Sequence, residues 1–149
     1  MSNNHFIFKQ FTINQEKSAF KVGTDGVLLG AVADTDGAGK ILDIGSGTGL
    51  ISIMLAQKCN AEITAIEPDY GSFLQTYENV NRSPWHERIK VHHTTFQNLD
   101  PNLGRFDMIV TNPPFFSDSL KNPDPRKSAA RHNESLSAED ILEGALTFM

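Results

Sequence analysis

Apolar residues along the chain recur with two periods, and the switches between them divide it into short strands and helices. Phe6, Phe8, Phe11 and Ile13 alternate loosely with polar neighbours, and "AFKV" (Ala19–Val22) follows the polar "NQEKS", which predicts a small hairpin ahead of the main fold. "GTDGVLLGAVA" carries a helical apolar run with Thr24 or Asp25 placed to cap it, and "DTDGAGK" reads as a turn. From Lys40 the pattern is regular. "KILDIG" predicts a short buried strand, "GLISIMLAQKC" a helix, "EITAIE" a strand, "DYGSFLQTYENVNRS" a helix, and "RIKVHH" and "RFDMIV" two more strands. Alternation of this kind predicts an α/β fold with a mostly parallel sheet and right-handed crossovers. Pro101 and Gly104 leave room for about one helical turn before the last strand. Ser137, with Asp140 three residues on, resembles a capping box at the head of a final amphipathic helix. The expected organisation is one domain over residues 1–149, with hairpin and helix in 1–36 and the α/β core in 37–149.

Composition adds limits rather than chemistry. At 149 residues and 39% hydrophobic content the chain suits one soluble domain with a sizeable core. No run approaches the roughly 20 apolar residues of a membrane span. The start "MSNNHFIFKQF" lacks the features of a signal peptide, so a cytoplasmic location is expected. Cys59, the sole cysteine, has no intramolecular disulfide partner and reads as a core filler. No metal site is expected. His92 and His93 are adjacent and so point to opposite faces of a strand, while His5, His86 and His132 lack ligand spacing. The formal net charge of −5 gives no global basic field. Positive charge is nevertheless concentrated at Lys121, Arg126, Lys127 and Arg131, followed by His132, a candidate stretch for phosphate contacts against the competing reading of a solvated basic loop.

The clearest chemical signal is "DIGSGTG", Asp43 to Gly49, set between a predicted strand and a helix. Gly45, Gly47 and Gly49 allow a tight turn and close approach of a ligand, and the free amides opening the next helix favour an anionic group. The spacing is G-x-G-x-G, whereas a dinucleotide turn is G-x-G-x-x-G. It suits a ligand with no pyrophosphate to seat, such as S-adenosylmethionine. Glu67 ends the next strand, 22 residues after Gly45, where an acid can accept hydrogen bonds from both ribose hydroxyls. Asp43 lies nearer the core, with two readings open: bonds to the turn's amides, or a water-mediated contact to the cofactor's amino group. After the third core strand, Thr94, Thr95 and Phe96 are candidates to meet the adenine ring, Phe96 by packing on its face.

"TNPPFF" follows the last core strand. Pro113 and Pro114 have no N–H, so the backbone there can only accept hydrogen bonds, and each ring restricts its predecessor to extended conformations. The amide oxygen of Asn112 and the carbonyl of Pro113 together can accept both hydrogens of an exocyclic amino group. Its lone pair is then free to attack a methyl sulfonium, with no general base needed beforehand. Preorganised carbonyl dipoles favour the positive charge that develops on the amine. Phe115 offers a flat face for a planar substrate.

With these residues in hand, "KVGTDGVLLGAVA", "ILDIGSGTGLISIMLAQ", "IVTNPPFF" and "AARHNESLS" together resemble the family of bacterial tRNA1(Val) adenine N6-methyltransferases, which are amino methyltransferases with an Asn-Pro-Pro-aromatic motif. The resemblance runs over nearly the whole chain. It implies a Rossmann-like sheet, S-adenosylmethionine as methyl donor, a tRNA partner and, as target, the adenine beside the anticodon. By motif position, base holding is carried to Asn112, Pro113, Pro114 and Phe115, and donor binding to Gly45, Gly47, Gly49 and Glu67. Thr24 and Asp25 fall in the segment that lies over the cofactor in related enzymes. Such relatives continue past the final helix here, so the expectation is a sheet lacking its last three strands, with the "NPPFF" strand at an edge that more chain or another subunit would cover. Two alternatives keep the motifs: transfer to a protein glutamine or a guanine amino group, and cofactor binding without transfer. A nicotinamide dehydrogenase is disfavoured by the turn spacing.

Overall fold

Ile41 and Leu42 are fully buried and Ile44 is nearly so, which places the strand they share at the centre of a sheet covered on both faces. The protein is described here by a computed structural model that covers residues 3–114 and 136–149. Its elements in chain order are β1 (His5–Ile7), β2 (Thr12–Asn14), α1 (Thr24–Val32), β3 (Lys40–Ile44), α2 (Leu50–Lys58), β4 (Glu62–Ile66), α3 (Tyr70–Arg82), β5 (Ile89–His92), β6 (Met108–Thr111) and α4 (Ala138–Phe148). Single 3-10 turns, His86–Arg88 and Pro101–Leu103, precede β5 and β6.

The main sheet has the order β5-β4-β3-β6, all parallel. The chain runs outward from β3 through β4 to β5, then returns across the sheet to lay β6 on the other side of β3. The strand order therefore reverses at β3. In open α/β sheets the crevice beyond the carboxyl ends of the strands at such a point is where ligands bind. Register pairs Asp43 with Ala65 on one side and with Val110 on the other, and Ile44 with Thr111. The turns leaving β3 and β6 consequently start side by side.

One core layer joins Ile41, Ile63, Ile89 and Val110 to Leu50 and Ile53 of α2 and to Phe11 and Ile13 of the hairpin. The opposite layer holds Leu42, Ile44, Ile66, Phe96, Leu99 and Phe106 with Phe148 of α4. At the carboxyl-distant end, Asp107 accepts from the main-chain N–H of Gly39 and Lys40, both at 2.8 Å, which ties the entries of β3 and β6 together.

Three local expectations need revision. The hairpin is formed by β1 and β2 alone; Ala19–Val22 is not a strand. Its main-chain donors are taken by side chains instead: Ala19 N–H by Ser72 Oγ at 3.0 Å and Val22 N–H by Gln15 Oε1 at 2.9 Å. The N-cap of α1 is Gly23, with no side-chain bond, and Thr24 and Asp25 lie inside the first turn. Position explains the difference, since a capping side chain must precede the first helical residue. Cys59 is half-buried rather than sunk in the core and donates its thiol to Leu55 O at 3.2 Å. The capping box of α4 is present, with Asp140 N–H to Ser137 Oγ and Ser137 N–H to Asp140 Oδ2, each 3.0 Å.

Candidate functional site

The turn after β3 needs glycine for conformational reasons. Gly45, Gly47 and Gly49 have φ of 73°, 60° and 82°, a region that costs residues with a Cβ roughly 1–2 kcal/mol each. The turn is anchored to its neighbours: the N–H groups of Gly45 and Ser46 both donate to Ile66 O, at 2.9 and 3.0 Å. Gly49 caps α2 and packs on α3, where an added Cβ would meet Thr76 Cγ2 at 3.2 Å.

Glu67 sits at the end of β4, 2% exposed. Its Oε2 accepts from Gly47 N–H at 2.8 Å and its Oε1 from Asp69 N–H at 2.9 Å. Asp69 in turn caps α3, its Oδ2 accepting from Ser72 N–H at 2.9 Å. Acid, glycine turn and helix start thus form one bonded unit.

Asp43, on β3 beneath the turn, is 1% exposed. Its Oδ2 accepts from Ser52 Oγ at 2.6 Å, and its Oδ1 is buried with no hydrogen-bond partner. Burial pushes its carboxyl up to about 6; the bonds from Ser52 oppose the shift and the charge of Glu67 adds to it. Of the two readings left open for Asp43, bonding to the turn's amides is not what is seen: its bond goes to α2.

β6 delivers its last residues beside this turn, and Thr111 Oγ1 donates to Ile44 O at 3.0 Å to hold the two strand ends together. The side chain of Asn112 faces α1: a Cβ built on buried Gly26 would stand 3.4 Å from Asn112 Nδ2, an ordinary packing distance.

Two open cavities meet here. The larger is lined by Gly45, Gly47, Glu67, Asn112 and Pro114, with Phe20 to Gly23 as another wall. The smaller is lined by Gly45, Pro68, Thr94, Thr95, Phe96 and Pro113 among others. Gly45 and Pro114 line both. Their linings differ in chemistry: main-chain donors and an acid in one, a mainly apolar slot in the other. Asp43 lines neither cavity, and its buried Oδ1 lies beneath the turn.

The sequence candidates divide accordingly. Gly45, Gly47, Glu67, Thr95, Phe96, Asn112, Pro113 and Pro114 line one or both cavities. Gly49 and Asp43 lie behind the lining and shape the turn. Phe96 is 6% exposed; one side of its ring is taken by α4, with Phe148 at 5.8 Å between centroids. Thr24 and Asp25 are exposed and line neither cavity; Gly23 and Gly26 beside them do. Phe115, Lys121, Arg126, Lys127, Arg131 and His132 lie outside the described residues. Among the described residues no group of three or more His, Cys, Asp or Glu is placed to hold a metal, and no helix is long and apolar enough to cross a membrane.

Sequence reading overlooked two parts of the site. Phe20 to Gly23 form a wall of the larger cavity, a role hidden by their strand-like pattern. Ser72, Gln75, Thr76 and Asn79 on α3 are all buried and turned toward the glycine turn and the N-terminal segment. Their i, i+3, i+4, i+7 spacing was a usable signal, because a polar stripe at helical period either faces solvent or faces a polar partner.

Comparison with known proteins agrees with this architecture. A crystal structure of P. horikoshii TYW2 in complex with MeSAdo matches with a TM-score of 0.58 over 70% of this chain and 40% of that one, at 19% identity, a likeness of fold. Curated proteins named tRNA1(Val) (adenine(37)-N6)-methyltransferase are 50% identical over 147 residues in Bacteroides fragilis and 53% identical over 146 residues in Bacteroides thetaiotaomicron. Each alignment takes in 97% of this chain, which spans 62% and 61% of the length of those relatives. Residues 11–129 match the family model of the methyltransferase small domain, and the chain, most of which that match covers, belongs to this family.

Proposed function

We propose that the protein transfers the methyl group of S-adenosylmethionine to the N6 amino group of an adenine beside the anticodon of a tRNA, in the cytoplasm. The observation that supports it best is the shared cavity: the glycine turn leaving β3 and Asn112 and Pro114 leaving β6 line one space. The relatives named above carry that activity in their names.

Bound S-adenosylmethionine supplies a methyl group on a positively charged sulfur. Gly45 and Gly47 would let the backbone approach it, and the carboxylate of Glu67, which lines the same cavity, would accept from the ribose hydroxyls. Thr94, Thr95 and Phe96 bound the slot for its adenine. The carbonyl oxygens of Asn112 and Pro113 accept the hydrogens of the target amine and orient its lone pair. With the donor bound, the same carbonyl dipoles would stabilise the positive charge that develops on that nitrogen as it takes the methyl group and the sulfur leaves as a neutral thioether. One proton then leaves the nitrogen for water. Phe115 is proposed to stack on the target base, and Lys121, Arg126, Lys127, Arg131 and His132 to meet RNA phosphates.

Tritiated methyl transfer to tRNA from cells lacking this modification, followed by nucleoside analysis, tests the reading. Labelled N6-methyladenosine is the expected product. Calorimetric titration with S-adenosylmethionine tests the cavity separately, and binding without any transfer to tRNA would overturn the assignment of substrate.

A further inference from the structure

α3 carries its buried polar stripe between two structures: the glycine turn and the N-terminal segment from Asn14 to Val22. Thr76 Oγ1 donates to Gly47 O at 3.0 Å and lies 3.0 Å from Ser46 Oγ. Ser72 and Gln75 accept from the main-chain N–H of Ala19 and Lys17, at 3.0 and 2.9 Å. Asn79 does both jobs. Its Nδ2 donates to Thr48 O in the turn at 2.8 Å and to Asn14 O at 2.7 Å, while its Oδ1 accepts from Asn14 N–H at 3.0 Å. The residue is 1% exposed. Thr48 lines the larger cavity, and so do Phe20 to Gly23 at the far end of the segment that Asn79 pins.

We propose that Asn79 is a positioning residue for the cofactor: it couples the turn beneath the ligand to the segment that walls the ligand, so that binding orders the two together. This inference rests on the cofactor reading above. The physical reason is the cost of an unmet buried polar group. If the turn and the segment move apart, one of the amide's three bonds is broken away from water, so the low-energy states are those in which both move as one. A hydrophobic residue at this position would leave each free to open alone.

Amide hydrogen exchange with and without S-adenosylhomocysteine tests the coupling. The amides of Lys17 and Ala19 are the reporters, because they do not line the cavity and their acceptors, Gln75 and Ser72, are untouched by substitution at Asn79. In the wild-type chain the ligand should slow exchange at least about fivefold both at Gly45 and Gly47 and at Lys17 and Ala19. In Asn79→Ala, and in the milder Asn79→Ser, the turn should still be slowed while Lys17 and Ala19 are not, with affinity about tenfold weaker. Val80→Ala, a change at a buried neighbour on the same helix, controls for general loosening and should keep the coupling. Protection of the turn without Lys17 and Ala19 in the wild type would overturn the inference and leave the cofactor reading intact. Coupling preserved in both Asn79 variants, or lost equally in Val80→Ala, would also overturn it. No protection anywhere in the wild type would remove the cofactor reading and this inference with it.

Discussion

Glu67 accepts the main-chain N–H of Gly47 at 2.8 Å, so the acid that ends β4 also braces the turn that follows β3. Though 20 residues apart in the chain, the two act as one unit, and any substitution at Glu67 alters the turn as well as the proposed ligand contact. Glu67→Ala is expected to weaken S-adenosylmethionine binding by about 1–3 kcal/mol, the range for hydrogen bonds to a charged group. Glu67→Gln keeps an acceptor for Gly47 and should lose less. Calorimetric affinities for the pair check this; a loss under roughly 0.5 kcal/mol for Glu67→Ala would move the ribose elsewhere.

Asp43 gives the stability a specific pH dependence. Its carboxyl titrates near 3.8 when free and at about 6 in the fold, so between those values the folded state binds more protons than the unfolded state. Stability from this group therefore falls as pH rises from about 4 to about 6, by roughly 3 kcal/mol. Denaturant unfolding of wild type and Asp43→Asn across that window should show the variant with the flatter profile and the greater relative stability at pH 7.

Gly45 and Gly49 share a positive φ but not an environment. A Cβ at Gly45 meets nothing within 4 Å, whereas at Gly49 it would press on Thr76 Cγ2 at 3.2 Å. Gly45→Ala should cost only the conformational term, about 1–2 kcal/mol of stability, and should reduce cofactor affinity, since this residue lines both cavities. Gly49→Ala should cost about 1–3 kcal/mol more through overpacking. Thermal unfolding and ligand titration of both variants separate the two effects.

Asn112→Ala removes one of the two carbonyl oxygens proposed to hold the target amine. Transfer should fall by at least about a hundredfold, the scale of losing one preorganised transition-state contact. Cofactor affinity should stay within about twofold, below the worth of one hydrogen bond. A parallel fall in both would make the residue structural.

Much of this arrangement is legible in the residues alone, for reasons that differ by element. β3 reads clearly because Ile41, Leu42 and Ile44 form an apolar run broken only by Asp43, as a strand buried on both faces should, and Gly45, Gly47 and Gly49 read clearly because few other residues tolerate their backbone geometry. Ala19–Val22 misleads because Phe20 and Val22 line a cavity and the N–H groups of Ala19 and Val22 find side chains rather than a neighbouring strand. Thr24 and Asp25 mislead in a different way: both are good capping residues one or two positions too late. Ser72, Gln75, Thr76 and Asn79 are the deepest omission, since hydrophobic patterning assigns polar residues to water and has no term for a buried polar partner contributed by distant chain.

That polar seam has a bearing on how natural variants of this protein are judged. Exchanges such as Gln75 to Glu or Asn79 to Lys pass for harmless swaps on a hydrophilic helix surface in any scoring that reads one chain position at a time. At these sites they would force a charge into a space sized for neutral amides, with the glycine turn on one side and the N-terminal strap on the other. Tolerance at such positions is set by what lies across the gap, and a genome survey that ignores this would rank as silent the changes most apt to disarm the protein.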